Sequence, residues 1–492
     1  MAPGDRGAAL KACAAAFLGL PVYALLVTED GEDETVLAED LVTAVEAAEA
    51  PVPVQAAASS GTGGGVPGNG GSRHVRAVRL YQPVVTSGHT LSYGVETGCD
   101  LEFWETPESG EGALAVLRET PYGWWVPSLT ASVTCRVGDR DYPVVDCFSG
   151  RFPKDITFPV DAVITWVDSS DPSWRARRDL AARIAGAGRL SPGTDLAENR
   201  YRDRGELRYC LRSIAAYAPW VRHVFLVTDE QVPSWLATDH PGLTVVDHRE
   251  LSADQDMPRV YNSHAIESRL HRIPGLAEHF LYFNDDIFLG RPQRPQNYFL
   301  PSGLPKVFHD WRAVDPAFRA DDDVFTASQK ATRAAVEKAV GRTYPHVLAH
   351  TPYPLSRALF TQVEELLPGR LDSTARSVFR SADDLAPVTL AAHLALAEGL
   401  AVEGDLAHAY VSTARRDQIE RLPALAAERD HDAFCLADDE SEPGGSGSGT
   451  GMSATQQHHV VAAFLEAYFP VPTPFEKVPS GRLEPGEQGD FA

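Results

Sequence analysis

One stretch of this chain places acidic side chains at the end of an apolar run. Residues 279–289 read HFLYFNDDIFL, and the run predicts a short buried strand that ends at Asn284, Asp285 and Asp286. Adjacent carboxylates that lose their hydration are costly unless a cation lies beside them, and oxygen ligands favour Mg²⁺ or Mn²⁺. Ligands of open α/β sheets bind beyond the carboxyl ends of strands. The stretch therefore indicates a metal–nucleotide site, although a plain Asn-Asp-Asp turn would have the same sequence.

Length and charge restrict the class of protein. A chain of 492 residues exceeds one ordinary core, so two or three domains are expected, and 43% hydrophobic residues are typical of a globular protein. A formal net charge of −24 argues against a nucleic-acid binder. Residues 171–222 nevertheless contain eleven Arg and no Lys, a composition that suits phosphate or carboxylate recognition or solvated helix faces.

The six cysteines show no zinc-binding spacing. Free thiols in a reducing cytoplasm are expected, and a Cys99–Cys135 or Cys135–Cys147 bridge is the alternative. The apolar segment 12–27 is short and is interrupted by Gly19 and Pro21. It predicts a buried helix rather than a signal peptide or a transmembrane segment.

Composition divides the chain into segments. Residues 1–55 predict an N-terminal α/β segment, residues 56–72 a flexible linker, and residues 73–158 a β-rich accessory module. The aromatic pairs of this module, Phe103-Trp104 and Trp124-Trp125, could stack on sugars, but core packing is the favoured interpretation.

Beyond residue 159, strand and helix patterns alternate, which predicts an α/β, Rossmann-like (GT-A-like) domain over 159–480. Predicted strands are 163–167, 224–227, 243–246 and 280–283, and predicted helices are 205–217, 263–273 and 459–468. A helical subdomain is expected over 328–400 and a flexible tract over 440–457.

Four blocks of polar residues occur within otherwise apolar surroundings. They read DAVITWVDSSDPSW from residue 161, RGELRYCLRS from 204, MPRVYNSHAIE from 257 with NDD at 284–286, and finally HTPYPLS from 350, FRSADD from 379 and FCLADD from 434. In this order the blocks resemble the conserved regions of the Stealth family, over roughly residues 159–477. That family comprises bacterial capsular and exopolysaccharide hexose-1-phosphotransferases and the related animal catalytic subunit. The chain departs from the family pattern at Ala437, where Asn is usual.

The resemblance implies transfer of a sugar-1-phosphate from a UDP-sugar to a glycan hydroxyl, with release of UMP. Such a transfer requires that charge on the phosphoryl group be positioned and neutralised. Asp285 and Asp286 are the candidate ligands of Mg²⁺ (or Mn²⁺), which would act on the pyrophosphate. Arg380 is the candidate group that neutralises developing charge, and His350 is the candidate general base, because histidine titrates near neutral pH.

Further site residues are expected around these. Glu267 precedes His271 by four helical residues and is a candidate metal ligand, base or helix-pair partner. Asn262 and Ser263 either cap that helix or bind the donor. Asp168 is expected at the uridine or ribose or in a turn, and Arg208 and Arg212, one helical turn apart, at phosphate or on the surface. Asp438 completes the candidate substrate-binding set.

Two other functions stay open from the sequence. A metal-dependent glycosyltransferase would use the same carboxylates but release UDP. A non-catalytic glycan-binding protein would depend on the aromatic β-rich module. The expected partners are a UDP-sugar and a glycan or polysaccharide, with no nucleic acid and no transmembrane segment. A cytoplasmic location, with membrane association only through partners, follows from the resemblance, whereas the oligomeric state does not.

Overall fold

The computed structural model describes residues 10–12, 14–15, 22–28, 33–48, 75–86, 90–103, 114–127, 130–137, 140–149, 151–185, 201–252, 257–319, 322–438 and 452–477. The chain divides into two compact units, Met1–Pro153 and Lys154–Ala492. The predicted linker over 56–72 lies outside the described residues, as do Trp104 and the predicted tract up to residue 451.

The first unit is built mainly from antiparallel strands. One sheet has the strand order β2-β1-β3-β6, and β4-β5, β7-β8 and β9-β10 form separate pairs. The elements are β1 (Tyr23–Thr28), β2 (Glu34–Leu37), α1 (Leu41–Ala48), β3 (Val75–Tyr81), β4 (Val84–Val85), β5 (Ser92–Tyr93), β6 (Cys99–Glu102), β7 (Leu114–Thr120), β8 (Gly123–Val126), β9 (Ala131–Val137), β10 (Arg140–Val145) and α2 (Asp146–Ser149).

Two expectations about this unit need correction. The segments 1–55 and 73–158 share one sheet, because β1 pairs with β3 and Ala24 and Leu26 pack against Val75 and Val78. The expected core packing of the Trp124-Trp125 pair is wrong. Those side chains are 58% and 50% exposed, and they point to opposite faces of the β7-β8 hairpin because consecutive strand residues alternate.

The second unit carries the predicted α/β domain. Its strands are β11 (Val160–Thr165), β12 (Val224–Thr228), β13 (Leu243–Asp247), β14 (His279–Asn284), β15 (Ile287–Leu289), β16 (Lys306–Val307), β17 (His309–Ala313), β18 (His346–Leu348), β19 (Tyr353–Ser356), β20 (Val402–Glu403), β21 (His408–Ser412) and β22 (Ala433–Ala437). Its helices are α3 (Pro172–Ile184), α4 (Glu206–Tyr217), α5 (Ser263–Glu267), α6 (Val324–Val340), α7 (Arg357–Leu366), α8 (Arg370–Ala375), α9 (Pro387–Glu398), α10 (Arg416–Ile419), α11 (Leu422–Glu428) and α12 (Ala454–Tyr468).

The central sheet confirms the α/β prediction. Its order is β13-β12-β11-β14-β19, with four parallel strands and an antiparallel edge strand. Strand residues alternate between two cores: Val163 and Phe280 pack with α7 and α9, whereas Ile164 and Leu281 pack with α4 and α12. Burial on both faces explains why these strands read as continuous apolar runs.

A second, smaller sheet extends the acidic stretch. After β14 the chain turns through Asp285 and Asp286 into β15, which pairs with β22 so that Ile287 lies opposite Cys435. β22 pairs in turn with β21, giving the order β15-β22-β21. The turn at the end of β14 is therefore bordered by a strand almost 150 residues further along the chain.

The helix expected over 263–273 is wrong in its extent. The α-helix α5 ends at Glu267, and a 3₁₀ turn over Leu270–Arg272 follows it. The Ser268 hydroxyl donates to the Ala265 carbonyl, and the Arg269 amide bonds three residues back, to Ile266. The interruption means that Glu267 and His271 do not share a face, because the His271 ring stacks on Phe360.

The region 328–400 is mainly helical, as predicted, but it also contributes β18 and the sheet strand β19. Cys99, Cys135, Cys147, Cys210 and Cys435 are free thiols, which rules out the two bridges considered above. Within the described ranges, no helix has both the length and the apolar character needed to cross a membrane.

Candidate active site

A cavity lies at the carboxyl edge of the central sheet. The ends of three parallel strands and the start of α5 contribute to its wall, because parallel strands finish at the same edge. The lining residues are Thr165, Trp166, Val167, Trp174, Tyr201, Thr228, Asp229, His248, Val260, Tyr261, Asn262, Ser263, Ile266, Asn284 and Asp285.

Aromatic rings form one side of this cavity. The Asp171 side chain caps α3 by accepting from the amide of Ser173 at 2.8 Å, and the capped first turn carries Trp174. The Trp174 ring lies 5.3 Å from the Tyr201 ring and 5.4 Å from the Tyr261 ring, between centroids. Such a wall can hold a planar ring system.

The end of β12 brings polar groups to the cavity. Buried Asp229 contacts Arg177 at 3.2 Å, His248 at 3.3 Å and Arg259. Burial favours a higher pKa for Asp229, but these partners, His248 foremost, hold the pKa below its usual value. The buried Thr228 hydroxyl has no hydrogen-bond partner among the described residues. An unpaired buried hydroxyl costs free energy, so a ligand that bonds to it would be favoured.

Carboxyl groups crowd the turn after β14. Burial raises the pKa of Asp285 well above its usual range, and the charges of Asp286, Glu206 and Asp203 raise it further. Burial, followed by the charge of Asp203, raises the pKa of Glu206 to about 8. A cation would relieve this repulsion. Neither Asp203 nor Glu206 was among the predicted site residues. Their signal was one acidic residue two positions before Gly205 and another directly after it, at the start of an amphipathic helix.

His350 lies beside this turn. Its Nε2 is 3.7 Å from Oδ1 of Asp286, and its Nδ1 is 2.8 Å from the Tyr353 hydroxyl. One ligand atom each of Asp286, His350 and Cys435 lies within 4.8 Å of the other two. Burial raises the pKa of the Cys435 thiol well above its usual range, and the charge of Asp286 raises it further. Cys435 was absent from the predicted site, because nothing in the sequence indicates which residue β22 places opposite Ile287.

A second group lies on α5 and the loop before α9. Arg380 Nη2 donates to the Ser263 hydroxyl at 2.6 Å. The Tyr282 hydroxyl lies 3.5 Å from Oε1 of Glu267 and 3.0 Å from the Thr165 hydroxyl. Burial raises the pKa of Glu267, and the charge of Arg380 is the largest opposing influence. The structure thus brings the predicted residues Glu267, Ser263 and Arg380 together, and Ser263 also lines the cavity.

Asn262 caps α5, which is one of the two roles predicted for it. Its Oδ1 accepts from the amide of His264 at 3.1 Å, which caps α5. Its Nδ2 donates to Asp384 at 2.8 Å, and the residue also lines the cavity. The cap therefore connects α5 with the segment that carries Arg380.

Asp168 and Asp438 do not line the cavity. The Asp168 carboxylate accepts from the amide and hydroxyl of Ser170 at 2.7 and 2.8 Å, which is the turn-forming alternative. Asp438 pairs with Arg202 at 2.5 Å and Arg204 at 3.0 Å. Both carboxylates therefore make contacts within the chain, and their substrate contacts stay a prediction.

Arg208 and Arg212, predicted to contact phosphate or to lie on the surface, both make contacts within the chain. Arg212 bonds to Glu476 at 2.7 Å and to the Phe469 carbonyl at 2.8 Å, and Arg208 stacks on Trp235 and lies 3.6 Å from Glu476. These partners come from the C-terminal segment and from the loop after β12. Both guanidinium groups therefore attach the C-terminal segment to α4.

The largely buried ion pair between Arg212 and Glu476 predicts a stability effect. We expect Arg212→Ala to lower the free energy of unfolding by about 3–5 kcal/mol, because it leaves Glu476 in a largely buried position without its main partner. Arg208→Ala is the matched control, since that side chain is 35% exposed. We expect it to lower the free energy of unfolding by only about 0–1 kcal/mol. Urea titrations followed by circular dichroism measure both values. Equal effects of the two variants would contradict the structural role of Arg212.

Comparison with protein families gives four matches, all within the second unit. They are Stealth protein conserved region 1 over residues 158–184, conserved region 2 over 200–307, conserved region 3 over 349–397 and conserved region 4 over 423–484. The site residues on β14, α5 and β22, together with His350 and Arg380, lie inside these regions.

Curated relatives are similar over most of the chain. Two are exopolysaccharide phosphotransferases of Streptomyces coelicolor: SCO2592 is 41% identical over 82% of this chain and 42% of its own length, and SCO6023 is 40% identical over 82% and 69%. The exopolysaccharide phosphotransferase CpsY of Mycobacterium leprae is 35% identical over 82% and 72%. The chain thus spans less than half of the first relative and about 70% of the other two.

Among solved structures, the galactosyltransferase LgtC in complex with donor and acceptor sugar analogues gives a TM-score of 0.30 at 10% identity. That similarity covers 61% of this chain and 95% of the other, and it is too distant to bear on fold or function.

Proposed function

The chain belongs to the Stealth family, and on that premise we propose that it transfers a sugar-1-phosphate from a UDP-sugar to a glycan hydroxyl. The donor is UDP-N-acetylglucosamine or a similar UDP-hexose, and the acceptor is a capsular or exopolysaccharide glycan. The acceptor oxygen bonds to the β-phosphorus, the bond from that phosphorus to the bridging oxygen breaks, and UMP leaves. The product is a phosphodiester.

One observation carries this proposal. Asp285 and Ser263 line the cavity at the carboxyl edge of the sheet. Asp286, which follows Asp285 in the chain, lies 3.7 Å from His350, and Arg380 donates to the Ser263 hydroxyl. A base, a cationic group and paired carboxylates therefore border a cavity with an aromatic wall. Phosphoryl transfer requires such positioning and charge neutralisation rather than covalent chemistry by the protein.

His350 is proposed as the general base. When Nδ1–H donates to the Tyr353 oxygen, Nε2 keeps its lone pair and can accept the proton of the acceptor hydroxyl. The side chain is 30% exposed, so an acceptor can reach it from solvent. The carboxylate of Asp286, 3.7 Å away, would stabilise the imidazolium that forms.

Arg380 is proposed to neutralise charge on the transferred phosphoryl group. Its guanidinium presents several donors in a plane, and Nη2 donates to the Ser263 hydroxyl at 2.6 Å. Glu267 lies where the charges of Arg380 and His350 both act on it. We assign Glu267 the role of holding Arg380 in place and of balancing the positive charge of His350 after proton transfer.

The acidic turn fits a divalent cation. Asp286 Oδ1 is buried without a hydrogen-bond partner among the described residues, and Asp285 is repelled by the carboxylates around it. These oxygen atoms are the ligand type that Mg²⁺ or Mn²⁺ prefers, so Asp285 and Asp286 would hold the ion. The bound ion would supply Lewis-acid stabilisation of the pyrophosphate.

The products of the reaction test the proposal. Purified protein is incubated with UDP-N-acetylglucosamine or other UDP-hexoses, Mg²⁺ and a crude glycan acceptor, and UMP is resolved from UDP by chromatography. We expect UMP release that requires Mg²⁺ and is lost in Asp286→Ala. Asp239→Ala is the matched control, because Asp239 is exposed and remote from the site in sequence.

The alternative products have defined meanings. Release of UDP instead of UMP would identify a glycosyltransferase and contradict the proposed bond cleavage. Binding of the glycan with neither nucleotide released from any UDP-hexose would favour a non-catalytic glycan-binding protein.

A further inference from the structure

Cys435 borders the candidate site, but the proposed transfer gives it no task. The residue is fully buried in β22, between Phe434 and Leu436, and its ligand atom lies within 4.8 Å of those of Asp286 and His350. Those two partners are 27% and 30% exposed, so the group is reached from solvent on the side of the carboxylate and the imidazole. Oxygen, nitrogen and sulphur ligand atoms thus meet at one accessible point.

The spacing of these atoms suits a small tetrahedral ion. Zinc binds nitrogen and oxygen at about 2.0–2.2 Å and sulphur at about 2.3 Å, which separates two tetrahedral ligand atoms by about 3.3–3.7 Å. The distance between His350 Nε2 and Asp286 Oδ1 is 3.7 Å. The remaining separations fall within the 4.8 Å limit, so small side-chain rotations would bring all three atoms to bonding distance.

Two further observations point to a ligand at this place. Asp286 Oδ1 is shielded from solvent and has no hydrogen-bond partner among the described residues. His350 is oriented by its outer nitrogen, because Nδ1 lies 2.8 Å from the Tyr353 hydroxyl and Nε2 therefore faces the carboxylate. A hydrogen bond to the outer nitrogen is the arrangement that usually accompanies a metal-ligating histidine.

We propose that Asp286, His350 and Cys435 form a binding site for a thiophilic divalent cation, of which Zn²⁺ is the representative. Three protein ligands leave a fourth position for water. The thiol proton leaves to solvent when the ion binds, because the thiolate is the ligand. Mg²⁺ does not compete well for this set, since it prefers oxygen ligands in octahedral geometry, whereas sulphur and imidazole favour Zn²⁺.

Occupation of this site has a consequence for the transfer, and this part of the inference rests on the proposed function. The zinc ion takes the Nε2 lone pair that His350 needs as a base and one carboxylate of the magnesium site. Zinc therefore inhibits the Mg²⁺-supported reaction, and the inhibition depends on Cys435. The protein would be active with a hard cation and inactive with a soft one.

Cobalt binding tests the site without any activity measurement. Co²⁺ replaces Zn²⁺ in the protein, in a background that carries Cys13→Ser, Cys99→Ser and Cys135→Ser so that these thiols do not contribute. We expect a thiolate-to-cobalt absorption in the near ultraviolet that one equivalent of Zn²⁺ abolishes and excess Mg²⁺ does not. In Cys435→Ser the absorption disappears and zinc affinity falls at least about 100-fold, because losing a direct ligand exceeds the 10–100-fold cost of losing an outer partner.

Cys210→Ser is the matched control. Cys210 is also fully buried, and the charges of Asp285 and Asp286 act on it, but it does not belong to the three-residue group. We expect its cobalt spectrum to equal that of the background protein. Persistence of the absorption in Cys435→Ser, or its loss in Cys210→Ser with the fold intact by circular dichroism, would overturn the inference. If Cys435→Ser does not fold, His350→Ala at a partly exposed position must weaken cobalt binding, and unchanged binding overturns the site.

Zinc titration of UMP release then separates the two proposals. Failure of the proposed function appears as absence of UMP at any metal composition, while the cobalt spectrum still reports on the site. Failure of the inference appears as Mg²⁺-dependent UMP release with no Cys435-dependent cobalt absorption. An inhibition by Zn²⁺ that is equal in the background protein and in Cys435→Ser would contradict the regulatory consequence.

Discussion

Replacement of His350 by asparagine is expected to lower the rate of UMP release about 10²–10⁴-fold, the range that one positioned general base contributes. Asparagine keeps a polar group near the Tyr353 hydroxyl, which is 2.8 Å from Nδ1, but it cannot accept a proton at the Nε2 position. Donor binding does not use this nitrogen, so the dissociation constant of the UDP-sugar should change little. Steady-state rates of UMP release and direct donor titration give the two quantities.

His346→Asn is the control for this variant. His346 is an exposed histidine four residues earlier in the chain, at the start of β18, and its replacement should leave UMP release near the wild-type rate. If His350→Asn retained the wild-type rate in Mg²⁺, the base would have to be another group, and Glu267 would be the next candidate.

Removal of the Arg380 guanidinium is expected to have an effect as large. We expect Arg380→Ala to lower kcat by about 10³-fold or more, the scale reported for an arginine that stabilises charge in phosphoryl transfer. Arg380→Lys should recover part of the loss, because lysine keeps the charge but not the planar set of donors. The measurement is kcat for UMP release at saturating donor, together with KM.

Two variants separate charge stabilisation from a positioning role. Arg370→Ala removes an exposed arginine of the same region and should have little effect. Ser263→Ala removes the hydroxyl that accepts from Arg380 at 2.6 Å. If Ser263→Ala reproduced the full loss of Arg380→Ala, the arginine would act only by holding that serine.

Local patterns in the sequence were sufficient for the frame of the catalytic unit. The apolar runs predicted β11 to β14, and the helical pattern over 205–217 predicted α4, in which the structure buries Leu207, Cys210, Leu211 and Ile214. Both signals are local, because a strand buried on two faces leaves a continuous apolar run and a helix that packs on a core leaves apolar residues three and four apart. The turn with Asp285 and Asp286 followed directly from the end of such a run.

Local patterns gave a wrong prediction where one sequence is compatible with two local backbone structures. A continuous helix over 263–273 was consistent with the sequence, but Ser268 bonds to the turn before it and the helix ends at Glu267. Glu267 consequently faces Tyr282 rather than joining His271, which packs on Phe360. Side-chain bonds to the backbone compete with helix formation, and their outcome depends on the residues packed around them.

The sequence by itself determined which chemical groups are present and which of them end strands: the paired carboxylates after β14, the histidine before β19 and the arginines around α4. Only the tertiary structure decided which of these groups meet. Arg212 pairs with Glu476, 264 residues away, whereas Arg380 reaches Ser263, 117 residues away, and Cys435 lies beside Asp286. Sequence periodicity records whether a residue is buried, but not its partner, because the partner is set by strand order and register between distant segments.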